Sequence, residues 1–296
     1  MNKSIGPVVL CLLDGFGLSP SWRGNAIFSA APKNFFEIWE NYPHYLLQYQ
    51  YDHLNNQPAY DNPERYLASL LEGGETKSQR VYIDHRIEKD LLKESDVLKK
   101  AFKQTFEKNS SLHFIGNLSG GSGRFSELKH LFALLRLAEE NKVFRVYIHL
   151  ILDDSGGGFS PVLEDLSSLE QELEKLGIGE IASVSGLDFL ADGEKSFLNF
   201  SKAYRTIVEG RGNSYLSAQQ AINKNKKTLD SPSLVPSSVI SSQNNPIGII
   251  SDFDSVVFFN HNNSQIIKLI LALSSNSGNS KLAQPKFLFL ATFFDC

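Results

Sequence analysis

The sequence predicts an α/β fold, a mostly parallel sheet flanked by helices, on three observations. Short β-prone runs that are continuously apolar, such as Val8 to Leu13, suit strands buried on both faces. Other stretches carry helical spacing, as in FSELKHLFALLRLAEEN, where Leu128, Leu131, Phe132, Leu135 and Ala138 fall on one face. The two kinds alternate from Leu112 to Phe294, which implies right-handed βαβ crossovers and a sheet wrapped by helices.

Taken in order, Val8 to Leu13 reads as a strand closed by the turn Asp14–Gly15, and Asn34 to Leu47 as a helix. The polar, aromatic stretch from Gln48 to Glu64 reads as a long loop. LHFIGNL is a strand, the helix just described follows, and VFRVYIHLILD is the next strand. Ser160 before Pro161 has the chemistry of a helix N-cap, and Gly177 that of a C-terminal stop. IGEIASVSG supplies another strand, with helices from about Glu194 to Glu209 and Ser217 to Lys226. The Ser, Pro and Asn stretch from Leu229 to Pro246 reads as a surface excursion. SVVFFN is a strand, Ser264 to Ser274 a helix, and KFLFLATFF a closing strand.

With 296 residues, 42% hydrophobic and 21% charged, the chain can build one large or two ordinary domains with a real core. Its formal charge of −4 offers no general attraction to nucleic acid or anionic lipid, so neither is an expected partner. No apolar run approaches the roughly 18 residues of a membrane helix. Cys11 and Cys296 form neither a disulfide framework nor a metal spacing, which fits a reducing cytoplasm.

In sheets of this kind ligands bind beyond the carboxyl ends of the strands. Asp14 ends the first run, where a carboxylate can hold a hard divalent cation or simply make a turn. GNLSGGSGR ends the strand from Leu112, and its glycines could cradle a phosphate or be an ordinary loop. Asp153 and Asp154 end the following strand before Gly156 to Gly158. Neighbouring residues on a strand point to opposite faces, so the two carboxylates should not share one site. Asp84 and His85 read as a solvated face, and His149 as a hydrogen-bonded structural histidine.

The ordered set PVVLCLLDGFG, GNAIFSAAPKNFFEIWENYPH, HLFALLRLAEE, RVYIHLILDD, IGEIASVSG, KAYRTIVEG and DSVVFFN resembles the cofactor-independent phosphoglycerate mutases of the alkaline phosphatase superfamily. The resemblance covers nearly the whole chain. It implies the opening piece of a phosphatase-like domain over residues 1–75 and a transferase-like α/β domain over 76–296.

That family transfers a phosphoryl group through a serine in an N-S-E-V-G-H motif with two divalent ions, typically manganese. The resemblance places a metal ligand at Asp14 and the nucleophile motif on Asn62, Pro63 and Glu64, with proline where serine should stand. The family's D-G-R-D falls on Asp153, Asp154, Ser155 and Gly156. Its other substrate arginines fall on Leu187, Gly193, Asn262 and Gln265. Arg124, Asp153 and Lys195 are what remains for substrate binding. Arginine binds phosphate and carboxylate bidentately, so losing several such contacts at about 1.5–3 kcal/mol each forfeits on the order of 6 kcal/mol, roughly 10⁴ in affinity.

The expectation is therefore a catalytically degenerate relative with a binding, scaffolding or regulatory role, needing no cofactor. The alternative is half of a split, manganese-dependent mutase completed by a separate C-terminal chain. In either case a protein partner is expected to cover the N-terminal piece.

Overall fold

The computed structural model describes residues 9, 11, 13, 16, 19, 21–45, 51–52, 57–58, 79–121, 126–190, 196–262, 266–274 and 282–293. Two compact units divide the chain, Met1–Asn56 and Gln57–Cys296.

In the first unit, helix α1 (Ala26–Ala30) starts at Asn25, whose side chain accepts the Phe28 N–H at 3.0 Å. Helix α2 (Lys33–Asn41) ends short of the predicted Leu47, because the residue before Pro43 is driven out of helical conformation. Tyr42 is accordingly extended, at φ −127° and ψ 153°. Phe16, Phe35, Trp39 and His44 form a run of ring contacts with centroids 3.9–6.0 Å apart. No residue of either helix is buried.

The expected strand from Val8 is corrected where it is described. Val9, Cys11 and Leu13 are exposed and lie in no strand. An apolar run becomes a buried strand only where a neighbouring strand pairs with it, and the described residues offer none. In the stretch read as a loop, the two-residue strands β1 (Tyr51–Asp52) and β2 (Gln57–Pro58) are described.

The second unit is built on one mixed sheet. Its main strands are β3 (Leu112–Leu118), β4 (Val146–Leu152), β5 (Glu180–Gly186), β6 (Asn213–Tyr215) and β7 (Ser238–Ser242). The two-residue β8 (Asn245–Pro246), β9 (Ser255–Phe258) and β10 (Phe289–Thr292) complete it. The order is β10-β9-β3-β4-β5-β7-β6, with β8 on β7. Pairing is parallel throughout except at β5–β7 and β7–β8. This is the predicted fold class, a mostly parallel sheet flanked by helices.

The helices are α3 (Gln79–Glu88), α4 (Asp96–Lys108), α5 (Leu128–Glu140), α6 (Phe159–Leu176), α7 (Ser196–Glu209), α8 (Ala218–Asn225) and α9 (Ile267–Leu273). Alternation along β3 sends Leu112, Phe114 and Leu118 to one face, where they meet α4, α5 and α6. Ile115, with Ile151, Val256 and Phe258, belongs to the other core, against α7 and α9. Each fully buried Leu, Ile or Phe contributes about 1.5–3 kcal/mol, so these two cores dominate the stability of the unit.

Two local expectations change. Helix α6 begins at Phe159 after Gly158, at φ 104°, so Ser160 is not its cap. Pro161 sits in the first turn, where its missing N–H costs nothing. Helix α9 begins a little later than expected, at Ile267, and the expected start of α7 at Glu194 lies outside the described residues.

The serine-rich stretch is not a surface excursion. Its residues Ser238 to Ile240 are buried in β7, an inner strand of the sheet. Small hydroxyls make this possible by satisfying one another, Ser185 with Ser237 at 2.7 Å and Ser214 with Ser241 at 2.9 Å. Gly186 completes the fit, since a Cβ there would lie 2.1 Å from the Ser233 carbonyl oxygen.

Candidate functional site

The carboxyl ends of β3, β4, β5 and β9 meet at one edge of the sheet. Asp153, expected as a substrate ligand, follows β4 there and is fully buried. Its Oδ2 accepts from Asn117 Nδ2 at 3.0 Å and Ser119 Oγ at 2.6 Å. Its Oδ1 accepts from the Ser155 N–H at 2.9 Å and from the Ser155 hydroxyl. Asn117 is held in turn by Asn260, which accepts the Asn117 N–H and donates to Asn117 Oδ1, both at 2.9 Å. All lone pairs that Asp153 directs into the edge are met by neutral donors, and Asn117, Ser119 and Asn260 are buried with it.

The neighbouring carboxylates are treated differently. Asp154 is exposed and accepts from Ser231 Oγ at 3.0 Å. Asp153 and Asp154 thus diverge and share no partner, although both lie just past the end of β4. Asp188, after β5, has its carboxyl raised by burial and then by the nearby negative Asp154. On α6, burial raises the Asp165 carboxyl, and the N–H groups of Gly121 and Gly120 partly offset it. Among the described residues, no Lys or Arg forms an ion pair with Asp153, Asp154, Asp165 or Asp188.

Where they are described, the glycine turns are not an open phosphate cradle, and Gly123 lies outside the described residues. The Gly121 N–H already donates to Asp165 Oδ2 at 2.9 Å, so the chain supplies its own anion. A Cβ on Gly156 would meet the Ser119 and Gly120 carbonyl oxygens at 2.1 and 2.4 Å. Glycine is needed there because two turns pack backbone to backbone, not to admit a ligand. What opens beside them is a cavity of about 150 Å³ lined in part by Asn117, Ser119, Gly121, Lys129 and Asp165.

A second polar row crosses the same face of the sheet deeper in. Ser183 Oγ meets His149 Nδ1 at 2.8 Å, and His149 Nε2 meets His113 Nδ1 at 3.0 Å. His113 Nε2 meets Asp254 Oδ2 at 3.1 Å. Asp254 also accepts the Ser111 and Ser251 N–H groups, each at 2.7 Å. As a carboxylate it only accepts, so the hydrogen of that bond sits on His113 Nε2. Burial, then the His113 charge, holds the His149 imidazole well below its usual 6.5. The structural reading of His149 is what the geometry gives.

Asp84 is not on a solvated face. It bonds His130 Nε2 at 2.7 Å and Lys129 Nζ at 2.8 Å. Burial alone would raise its carboxyl, and these two partners outweigh burial and bring it to about 2. His85 is exposed.

Asp14, Pro63, Arg124 and Lys195 lie outside the described residues. Among the described residues no three His, Cys, Asp or Glu side chains are grouped to hold a metal ion, so no metal-dependent step is derived. Leu187, at a position the family would give to arginine, is buried. Asn117, Asn260 and Asp165 are missed by sequence reasoning. The one available signal is a polar residue interrupting an apolar strand, as Asn117 does in LHFIGNL and Asn260 does after SVVFF.

No helix among the described residues is long and apolar enough to cross a membrane. A family model described as the BPG-independent PGAM N-terminus matches residues 83–294. The chain is 33% identical over 270 residues to the 2,3-bisphosphoglycerate-independent phosphoglycerate mutase of Listeria innocua, covering 91% of this chain and 52% of that protein. For the enzyme of that name from Clostridium perfringens the identity is 32% over 255 residues, covering 86% and 50%. The chain thus spans about half the length of the curated relatives it matches. A crystal structure of Leishmania mexicana phosphoglycerate mutase, solved at low cobalt concentration, shares the fold with a TM-score of 0.64 at 20% identity, over 74% of this chain and 42% of that one. The family model, matching well over half of the chain, and these relatives show that the chain belongs to the family of the BPG-independent phosphoglycerate mutase N-terminus, within the alkaline phosphatase superfamily.

Proposed function

We propose that this phosphoglycerate-mutase-like chain is catalytically degenerate and acts by binding, as a scaffold or regulator, in the cytoplasm and without a cofactor. The observation that carries the reading is the state of Asp153. In the family pattern the residue two positions on is an arginine. Here it is Ser155, which turns back to bond Asp153. The edge is thereby closed by neutral donors, and the carboxylates around it repel a ligand bearing both phosphate and carboxylate. Pro63 at the nucleophile position supports the same reading, since proline has no group to accept a phosphoryl. Covering of the N-terminal piece by a protein partner belongs to this proposal.

The test compares this chain with the matching half of the Listeria innocua relative. Titration with 3-phosphoglycerate should saturate the Listeria half and leave this chain at least roughly 10³-fold weaker, in line with the lost arginine contacts. Equal binding by the two would end the proposal.

A second reading, half of a split manganese-dependent mutase, is favoured by the coverage of about half of each relative. It predicts conversion of 3- to 2-phosphoglycerate once the C-terminal half of the relative is added with manganese. Asp14→Ala should abolish that turnover, and no turnover in the complemented mixture would leave the first reading standing.

A further inference from the structure

The opposite end of the sheet carries a surface that neither reading uses. Among the described large hydrophobic residues of the second unit, Phe106 and Phe144 are the most exposed, at 83% and 85%. They line the same groove of about 310 Å³, formed between the last turn of α4 and the segment joining α5 to β4. Two such side chains left in water at separate places would be ordinary, but two on one concavity are a contact surface waiting for a counterpart.

The charge of the groove is equally specific. Lys142 and Arg145 line it, and no acidic residue does. The chain as a whole is acidic, at −4, so this patch inverts the general sign. Arg145 uses one nitrogen, Nη2, to bond the Asn109 carbonyl and side chain, which ties the guanidinium to the end of α4. Its Nε and Nη1 have no partner among the described residues, and neither does the Lys142 ammonium. Such a fixed fork with open donors suits a carboxylate.

The floor is rigid. Ser110, which also lines the groove, donates to the Phe253 carbonyl at 2.9 Å, and Gln104 Nε2 donates to the Phe253 and Phe287 carbonyls at 2.9 and 3.1 Å. The Phe253 and Phe287 rings stack at 5.0 Å, so the aromatic surface continues beyond the groove.

We propose that this groove docks a short acidic protein segment that presents aliphatic or aromatic side chains between its carboxylates. The apolar side chains enter between Phe106 and Phe144, and the carboxylates meet Arg145 and Lys142. A concave groove with two cations favours such a segment over a bilayer, which needs a convex or flat basic face. The proposal does not depend on whether the sheet edge at the other end is active.

The probe is a fluorescein-labelled decapeptide alternating glutamate with leucine and phenylalanine, titrated against the full chain and read by anisotropy. Saturable binding is expected, weakened at least tenfold by Phe144→Ser, by Phe106→Ser and by Arg145→Glu, and weakened again by raising the salt. The lysine counterpart of the peptide should not bind. Unchanged melting temperatures of the two phenylalanine variants would show that their losses are local, which the exposure of both rings leads us to expect. No saturation, or equal binding by the Phe106→Ser/Phe144→Ser double variant, would overturn the proposal. So would capture by phosphatidylserine vesicles lost through the same substitutions, which would assign the face to a membrane. A wild-type dimer in sedimentation that Phe144→Ser dissociates would assign it to a second copy of the chain.

Discussion

The two polar rows on one face of the sheet are built from different chemistry. The inner row, Ser183–His149–His113–Asp254, joins two imidazoles to a carboxylate that also holds two backbone N–H groups. The edge row, Asn260–Asn117–Asp153 with Ser119 and Ser155, uses only amides and hydroxyls around its acid. Both are buried, so burial does not distinguish a structural row from a site. The difference is position, because only the second lies at the strand ends where a ligand could arrive. On the proposed reading, the edge row is a binding edge converted into a piece of core.

The two acids carry the largest expected effects. Asp254→Ala leaves His113 and the Ser111 and Ser251 N–H groups without their acceptor, and should cost about 3–5 kcal/mol in urea unfolding. Asp153→Ala should cost less, about 2–3 kcal/mol, because the freed Ser119 and Ser155 hydroxyls can rotate to other acceptors. If Asp153→Ala instead stabilised the fold, the edge would be a strained site kept for function, and the two rows would differ in kind.

The smallest effect is one of pH. His149 is held neutral when folded, whereas the unfolded chain takes up its proton near 6.5. Its contribution is therefore complete above pH 6.5 and is lost as the pH falls below that value, at about 1.4 kcal/mol per pH unit for one proton. Unfolding measured between pH 7.5 and 5.5 should show this slope in the native protein and a shallower one in His149→Gln. Asp84 acts in another window. Its lowered carboxyl contributes stability above its usual 3.8 that fades towards about 2, so it leaves the His149 slope untouched.

Much of the fold is legible in the sequence because period and polarity agree there. LHFIGNL, VYIHLIL and the face from Leu128 to Ala138 state their elements through apolar spacing alone. The segment around Ser238 does not, since its burial depends on hydroxyl pairs with Ser185 and Ser214, which lie on other strands. Helix α6 is misjudged at its start because the turn there is set by Gly157 and Gly158 at positive φ, not by a capping side chain. At the candidate site, Asp153 is visible as a strand-ending acid. Its partner Asn117 is held by Asn260, 143 residues away, and no local pattern links the two.

That separation has a consequence for how the molecule comes into being. Strand β9 lies directly against β3, yet it is synthesised after all of β4 to β8. On a ribosome, β3 would emerge and wait through most of the domain with one of its two ladders open. Vectorial synthesis thus cannot close the sheet centre early, and folding should be slow for the size of the unit. A chaperone would find its target in the long interval before Ser255 to Phe258 arrive.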